Sequence, residues 1–526
     1  MTSTLKESRS DETVAAITTE NLKVVDLYDE GTVDPVYQAK ARVLNQALQE
    51  IGMGKYQVCF PTSVGDYSWL LDLDGFPLVL TRNSDSIWPL LTGLILSPVI
   101  SEFHFNGPFL SLAANIGLLV GAVLWSFGCD IWGRKWSFNL TLLIASVFGI
   151  AAGGSPNFVA LACLVAILSV GVGGNMPVDS AVFLDFVPGS HQYLLTVLSV
   201  WWAIGQLLGS LIAWPLIANF SCAPTANTCT RAENMGWRYL LLTLGGLMLL
   251  LSLIRLFAFH LHESPRFLLG LGRDVEAVAV VRAIAEYNGT ETRLSVEDLR
   301  EAAKSAEEKQ NAEVRRWKVL SESSNWSMSH LRALFATRKM ALSTSLLISL
   351  WGIIGLASTL YNSFLPYLLA SRGARFDDAT YYTTYRNQVI LSMTGIPGAF
   401  LAGWAVEQPF IGRRGTLAIS AGEAHGGVFV REHHRAQLAG AARVELWIMY
   451  GVLYAISPEL FPAKDRGTGN GLVLTATRVF GVIAPVIALY ANIDTVVPVY
   501  IAGGLIIGAG SLALLLPFEP QGKASI

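Results

Sequence analysis

Arg478 stands about ten residues inside an apolar run that begins near Gly467, which at about 1.5 Å of helical rise per residue reaches the middle of a bilayer. A charge at that depth costs at least about 2.5–3.5 kcal/mol on insertion scales, so it is retained where it faces a pathway or a partner. Asp179, near the end of another apolar run, and Asp85, just before Trp88, are placed in the same way. The two carboxylates are suited to carrying a proton, and the guanidinium to holding an anionic substrate or a carboxylate partner. A fixed Arg478–carboxylate pair that only sets helix packing is the structural alternative. Asn175, Gln206 and Asn362 add neutral hydrogen-bonding groups at similar depth, beside Trp201 and Trp202, and complete a candidate substrate or proton pathway. No Ser/His/Asp arrangement, metal-ligand spacing or phosphate loop accompanies them. The expected chemistry is therefore binding and translocation of a small molecule, without catalysis, cofactor or metal.

A second set of residues is placed to make and break contacts. Gly133-Arg134-Lys135 lies in a short polar gap between apolar runs, and Gly412-Arg413-Arg414 lies in another such gap 279 positions later (413 minus 134). Asp185-Phe186-Val187-Pro188 and Glu459-Leu460-Phe461-Pro462 repeat at an offset of 274 (459 minus 185). Two landmarks with nearly one period mark an internal duplication. Asp130 precedes the first triplet and Glu407 the second, where each carboxylate is suited to charge-assisted bonds with the arginine and with backbone groups at a helix end. With Asp185, Glu459 and Arg466 they form a candidate latch that breaks when two halves rock apart. The simpler reading makes the bases topology markers alone.

The elements that hold these residues must be membrane helices. A chain of 526 residues with 52% hydrophobic and 15% charged residues and a mean hydropathy of +0.45 is too apolar for an ordinary soluble protein. Its formal charge of -3 carries no message about nucleic acid, since the bases are parcelled into loops instead of forming one basic face, and no nucleic-acid partner is expected. Apolar runs of membrane length appear near Pro108–Gly128, Ser137–Gly154, Phe158–Val182, Tyr193–Asn219 and Trp237–Phe259, then near Ala341–Leu369, Gln388–Val406, Gly467–Tyr490 and Val497–Pro517. Weaker pieces lie at Trp88–Ile100 and Trp447–Ser457. Glycines 171, 173, 174, 205 and 209 permit close helix approach. The expected organisation is a disordered cytoplasmic tail over 1–60 without a cleavable signal, an N-terminal half over 61–261, a cytoplasmic linker over 262–336, a C-terminal half over 337–519 and a short tail over 520–526. Within the linker, Val275, Val278, Val281 and Ile284 have the spacing of an amphipathic surface helix.

Lys and Arg near span ends are retained on the cytoplasmic side, which places both termini and the linker there. Cys222 and Cys229 then share an exterior loop with the glycosylation acceptor Asn219-Phe220-Ser221, so a disulfide between them is a candidate. Cys59, Cys129 and Cys163 read as small apolar residues.

These motifs resemble the major facilitator superfamily over Gly52 to Lys523. Gly128-Cys129-Asp130-Ile131-Trp132-Gly133-Arg134-Lys135 is similar to the family's loop signature between spans two and three, with Ser126 in place of its usual leading glycine. Glu263-Ser264-Pro265-Arg266 resembles the sugar-porter signature after span six, with His262 in place of the usual proline. Pro458-Glu459-Leu460-Phe461-Pro462 with Arg466-Gly467-Thr468-Gly469 resembles the organic-ion and synaptic-vesicle-glycoprotein-related branch, and Asn175-Met176-Pro177-Val178-Asp179 a fungal subgroup of it. The resemblance implies an all-α membrane protein of two six-helix halves, nominally 12 spans. It also implies a multi-pass plasma-membrane monomer whose partners are lipid, a small-molecule substrate and protons. The function implied is secondary active transport of a small polar metabolite, an organic anion or a sugar, by alternating access. A non-transporting receptor or sensor on the same scaffold is the alternative.

Two stretches depart from that fold. Asp66, Asp72, Asp74, Arg82 and Asp85 interrupt the first span, and Glu423, Arg431, Glu432, Arg435, Arg443 and Glu445 fill the place of the ninth and early tenth. At about 2.5–3.5 kcal/mol for each charge near a helix centre, 423–445 is not expected to insert. Spans 1, 9 and 10 thus read as degraded, either as a specialised loop or through a frame error or retained intron that leaves the chain inactive.

Overall fold

A computed structural model describes residues 35–54, 56, 76–131, 133–187, 199–222, 229–257, 262–314, 334–335, 337–375, 380–408, 411–429, 448–454, 456–457, 460–461, 466–491 and 497–517. The described elements are helical, because a backbone in hydrocarbon must satisfy its own hydrogen bonds. The first half comprises α2 (Phe76–Phe103), α3 (Pro108–Ile131), α4 (Arg134–Gly153), α5 (Phe158–Phe186), α6 (Ser199–Phe220) and α7 (Gly236–Phe257), and is preceded by α1 (Pro35–Ile51). The linker contributes α8 (Pro265–Gly270), α9 (Asp274–Asn288) and α10 (Val296–Val314). The second half holds α11 (Arg338–Arg375), α12 (Tyr381–Met393), α13 (Gly395–Glu407), α14 (Gly412–Phe429), α15 (Arg466–Ala491) and α16 (Val497–Ala513), with residues 448–454 also helical. Among the described residues, eight spans are long and apolar enough to cross a membrane, with shorter apolar helices at Ile87–Phe103 and Ile501–Ala513.

The first half is drawn together by glycine. A Cβ on Gly121 would lie 2.2 Å from the Val170 carbonyl oxygen, and one on Gly173 would lie 2.3 Å from that of Leu118. Only the absence of a side chain lets α3 and α5 approach so closely. In the second half Gly395 and Pro397 interrupt the ladder between α12 and α13, so one span of 26 residues is built from two short helices. The halves meet where α2 packs on α11, α3 on α15, and α6 on both α12 and α13.

The stretches expected to be degraded are partly helical. The α2 backbone passes through Arg82 and Asp85 to Phe103, while Asp66, Asp72 and Asp74 fall outside the described residues. The α14 backbone continues past Glu423 and His425 to Phe429. Of the six charges counted against insertion there, only Glu423 belongs to this helix, and the other five lie outside the described residues. One charge near an end is tolerated far better than six across a span.

The amino-terminal region departs from the expected disorder. From Pro35 it forms the amphipathic α1, whose Leu44, Ala47, Leu48 and Ile51 pack on Leu268, Leu269, Ala277, Val278, Val281, Ala285, Leu294 and Leu299 of the linker. Lys40 Nζ donates to Asp274 Oδ2 at 2.6 Å beside this apolar cluster. Of the predicted amphipathic face, Val278, Val281 and Ile284 are buried, but Val275, in the first turn of α9, is 62% exposed beyond the contact. After α1, Tyr56 inserts between the linker and α5: its backbone N–H donates to Asn288 Oδ1 at 2.8 Å and its ring lies 5.6 Å from Phe186.

Candidate substrate pathway and conformational latch

Arg478 sits on α15 with its side chain half-buried, and α15 packs on α11 of its own half and on α3 of the other. One residue before it, Thr477 donates through Oγ1 to the Trp351 carbonyl at 3.1 Å. Trp351 Nε1 donates in turn to Ser457 Oγ at 2.6 Å. Arg478 acts electrostatically on Tyr450, whose hydroxyl lies 2.6 Å from Ser358 Oγ. One helical turn from Tyr450, Tyr454 meets Trp202 of α6 edge-on across the two halves at 5.2 Å. Gln206, one turn further along α6, is buried, as are Asn175 and Asp179 of α5. The seam is thus crossed here by the contact between Tyr454 and Trp202 of α6. Asp85 and Asn362 belong to α2 and α11, but their side chains fall outside the described residues.

Toward the end of the bundle that carries Cys222 and Cys229, the seam is closed by hydrogen bonds. Ser97 Oγ lies 3.1 Å from the Tyr381 hydroxyl, Ser111 Oγ donates to Ser363 Oγ at 3.1 Å, and Ser210 Oγ meets Ser392 Oγ at 3.0 Å. Tyr385 donates to the Leu94 carbonyl. That carbonyl is available because Pro98, four residues on in α2, has no N–H to complete the helical bond. The Trp214 and Tyr382 rings pack at a tilt across the same end, 5.1 Å apart. Cys222 and Cys229 form a disulfide, and Asn219 is exposed in the last turn of α6, its side-chain amide donating to the Pro215 carbonyl at 2.9 Å.

At the linker end, Arg134 pairs with Asp185 at the close of α5, donates to Ser264 Oγ at 3.1 Å and lies 5.7 Å over the Phe267 ring. Its backbone N–H donates to Glu263 Oε1 at 2.9 Å, so a carboxylate occupies the electropositive start of α4. Gly133 has φ +93°, and a Cβ there would lie 2.6 Å from Glu263 Oε2, so two constraints require glycine. Burial pulls the Arg266 guanidinium down to about 10, with the Arg134 charge adding to the effect and Tyr37 of α1 opposing it. It stays charged at neutral pH. In the second repeat Gly412 has φ +59°, Arg413 is buried and Arg414 donates to the Leu514 carbonyl at the end of α16. Lys135 is exposed. The side chains of Asp130, Glu407 and Arg466, and residue Glu459, lie outside the described residues.

Sequence reasoning did not connect the Glu263-Ser264-Pro265-Arg266 signature to the Gly133-Arg134-Lys135 loop. It also passed over Glu102 and Arg238, which make a buried bidentate pair near the disulfide end at 2.7 and 2.9 Å. Trp237 Nε1 and Asn234 Nδ2 donate to the same carboxylate at 3.0 and 3.1 Å.

The sequence profile of the family described as "Sugar (and other) transporter" matches residues 107–420. The chain is 63% identical over 508 residues to the "MFS siderochrome iron transporter 1" of Ceriporiopsis subvermispora, covering 95% of this chain and 94% of that protein. The chain belongs to the major facilitator superfamily. Within this superfamily it is 26% identical to the niacin transporter NiaP of Acinetobacter baylyi, over 78% of this chain and 84% of that one. Its fold is that of the proton:xylose symporter XylE bound to 6-bromo-6-deoxy-D-glucose, with a TM-score of 0.62 at 16% identity, covering 86% of this chain and 97% of the symporter. These likenesses make it an integral, multi-pass membrane transporter.

Proposed function

We propose that this facilitator is a secondary active transporter of a small polar metabolite, an organic anion or a sugar, working by alternating access with a proton as the driving ion. The observation that carries the reading is Arg478, a half-buried arginine within an apolar span that packs on both halves, near Tyr450 and next in sequence to Thr477. A guanidinium there holds an anionic group, or keeps a carboxylate ionised until substrate displaces it. Asp179, buried on α5, is the proton carrier in this reading. The Arg134–Asp185 pair and its linker contacts hold one of the two alternating states. The disulfide end faces the exterior of the plasma membrane, and the linker and both termini face the cytoplasm.

The test is uptake into proteoliposomes of three labelled probes, niacin, xylose and iron-loaded siderochrome, with and without an imposed proton gradient. Accumulation of at least one, stimulated by the gradient, is expected, and Arg478→Leu should abolish it. Normal uptake by a well-expressed Arg478→Leu protein would reduce the arginine to a packing role. Binding of a probe without any accumulation would favour a receptor.

A further inference from the structure

Gln388 is 1% exposed, and among the described residues neither its amide nitrogen nor its amide oxygen has a hydrogen-bond partner. It lies on the buried face of α12 with Tyr381, Thr384, Tyr385 and Ser392. Nearly one turn toward the disulfide end, Tyr385 is bonded to the Leu94 carbonyl of α2, and one turn the other way Ser392 is bonded to Ser210 of α6. Both bonds cross between the halves, so Gln388 is enclosed by the closed seam. The Ser392 hydroxyl beside it is already committed: its Oγ is bonded to Ser210 and also donates to the Gln388 backbone carbonyl at 2.9 Å.

A primary amide presents a donor and an acceptor side by side in one plane. Buried with neither satisfied, it is strongly disfavoured relative to the same amide in water. When the disulfide end is open, water reaches the amide. Closure of that end removes the amide from bulk water, and the side chains that close over it offer it no partner among the described residues. A substrate that fills both valences removes this penalty, and a ligand that favours the closed state is by linkage bound more tightly in it.

We propose that Gln388 is a substrate-recognition residue that couples occupancy to closure of the disulfide end, and that it takes a neutral group carrying a hydrogen-bond donor beside an acceptor, as a diol or a carboxamide does. The inference rests on the alternating-access reading above, and gives it a second contact, chemically distinct from the cationic Arg478. It also accounts for how an empty transporter is kept from closing freely.

The experiment uses the full-length chain in right-side-out vesicles, with Thr384→Cys as a reporter buried in the same seam and a membrane-impermeant maleimide as label. Without any probe, Gln388→Leu should slow labelling of the reporter at least fivefold, because closure no longer strands an amide. In uptake assays with xylose, niacin and iron-loaded siderochrome, the same variant should raise KM at least tenfold for the transported probe. Gln388→Met, which keeps the side-chain length, serves if the leucine variant does not reach the membrane. Unchanged labelling overturns the coupling, and slowed labelling with unchanged KM overturns substrate recognition, leaving a bound water as the amide's partner. If the parent transports none of the three probes, the transport reading fails, whereas reporter labelling needs no substrate and still decides whether Gln388 controls closure.

Discussion

Replacing Glu102 with alanine should be among the most damaging single changes in this protein. Glu102 receives two bonds from Arg238 and one each from Trp237 and Asn234, and the side chains of the ion pair are 7% and 1% exposed. Two unit charges about 4 Å apart attract by about 4 kcal/mol at an effective dielectric of about 20. Once Glu102 is gone, Arg238 keeps, among the described residues, only the Asn234 and Ser155 carbonyls, each at 3.4 Å, and the Trp237 ring at 4.1 Å. Removing one partner of a buried pair costs about 3–5 kcal/mol, because the survivor is left charged and dry. The double variant Glu102→Ala/Arg238→Met strands no charge and should cost less than Glu102→Ala alone, giving with the Arg238→Met single a coupling energy of at least about 2 kcal/mol. Reversible unfolding of purified protein by SDS titration in mixed micelles, followed by tryptophan fluorescence, measures all arms of the cycle. A loss below about 1 kcal/mol for Glu102→Ala, with additive singles, would refute the reasoning.

Two further outcomes follow from the linker end. Asp185→Asn leaves Arg134 with Ser264 and Phe267 but without its carboxylate, and should shift the balance of the two states by about 1–3 kcal/mol. Cysteine-accessibility labelling of both faces checks this, and identical labelling in variant and parent would sink the latch. Leu48→Asp puts a charge on a side chain that is 0% exposed and should release α1 from the linker, read as faster limited proteolysis between α1 and Tyr56 while the membrane bundle stays folded. Unchanged cleavage would mean that another face holds α1.

Much of the architecture is legible in the sequence because bilayer insertion demands long apolar runs, and Pro108–Ile131 or Arg338–Arg375 can be nothing else. The α12–α13 break was less legible, since a run of apolar residues does not reveal that Gly395 and Pro397 cut its hydrogen-bond ladder. Helix α1 was missed because its apolar stripe is narrow and its partner lies more than 200 residues away, which no local pattern records. At the site, Arg478 and Gln206 declared themselves by being polar within apolar runs. Gln388 did not, because it falls at the start of one, where a polar residue passes for a boundary. Asp185 was legible as a repeated landmark, but its partnership with Arg134, the Glu263 cap on α4 and the Tyr385–Leu94 bond depend on distances between helices that spacing alone does not give.

The Tyr385 bond has an acceptor that belongs to the backbone of Leu94, and this fixes which substitutions can disturb it. No exchange of the Leu94 side chain deletes a carbonyl, so changes at that position, which is packed in the core, act on packing and not on the acceptor itself. Control over the bond resides four positions away: any residue other than proline at 98 restores an N–H that reclaims the carbonyl for the helix and competes with the tyrosine. Pro98 and Tyr385 are thus an epistatic pair coupled through the Leu94 carbonyl. In descendants of this chain, loss of the proline should free Tyr385 to become phenylalanine, and loss of the tyrosine should remove one constraint that keeps a proline inside a membrane helix.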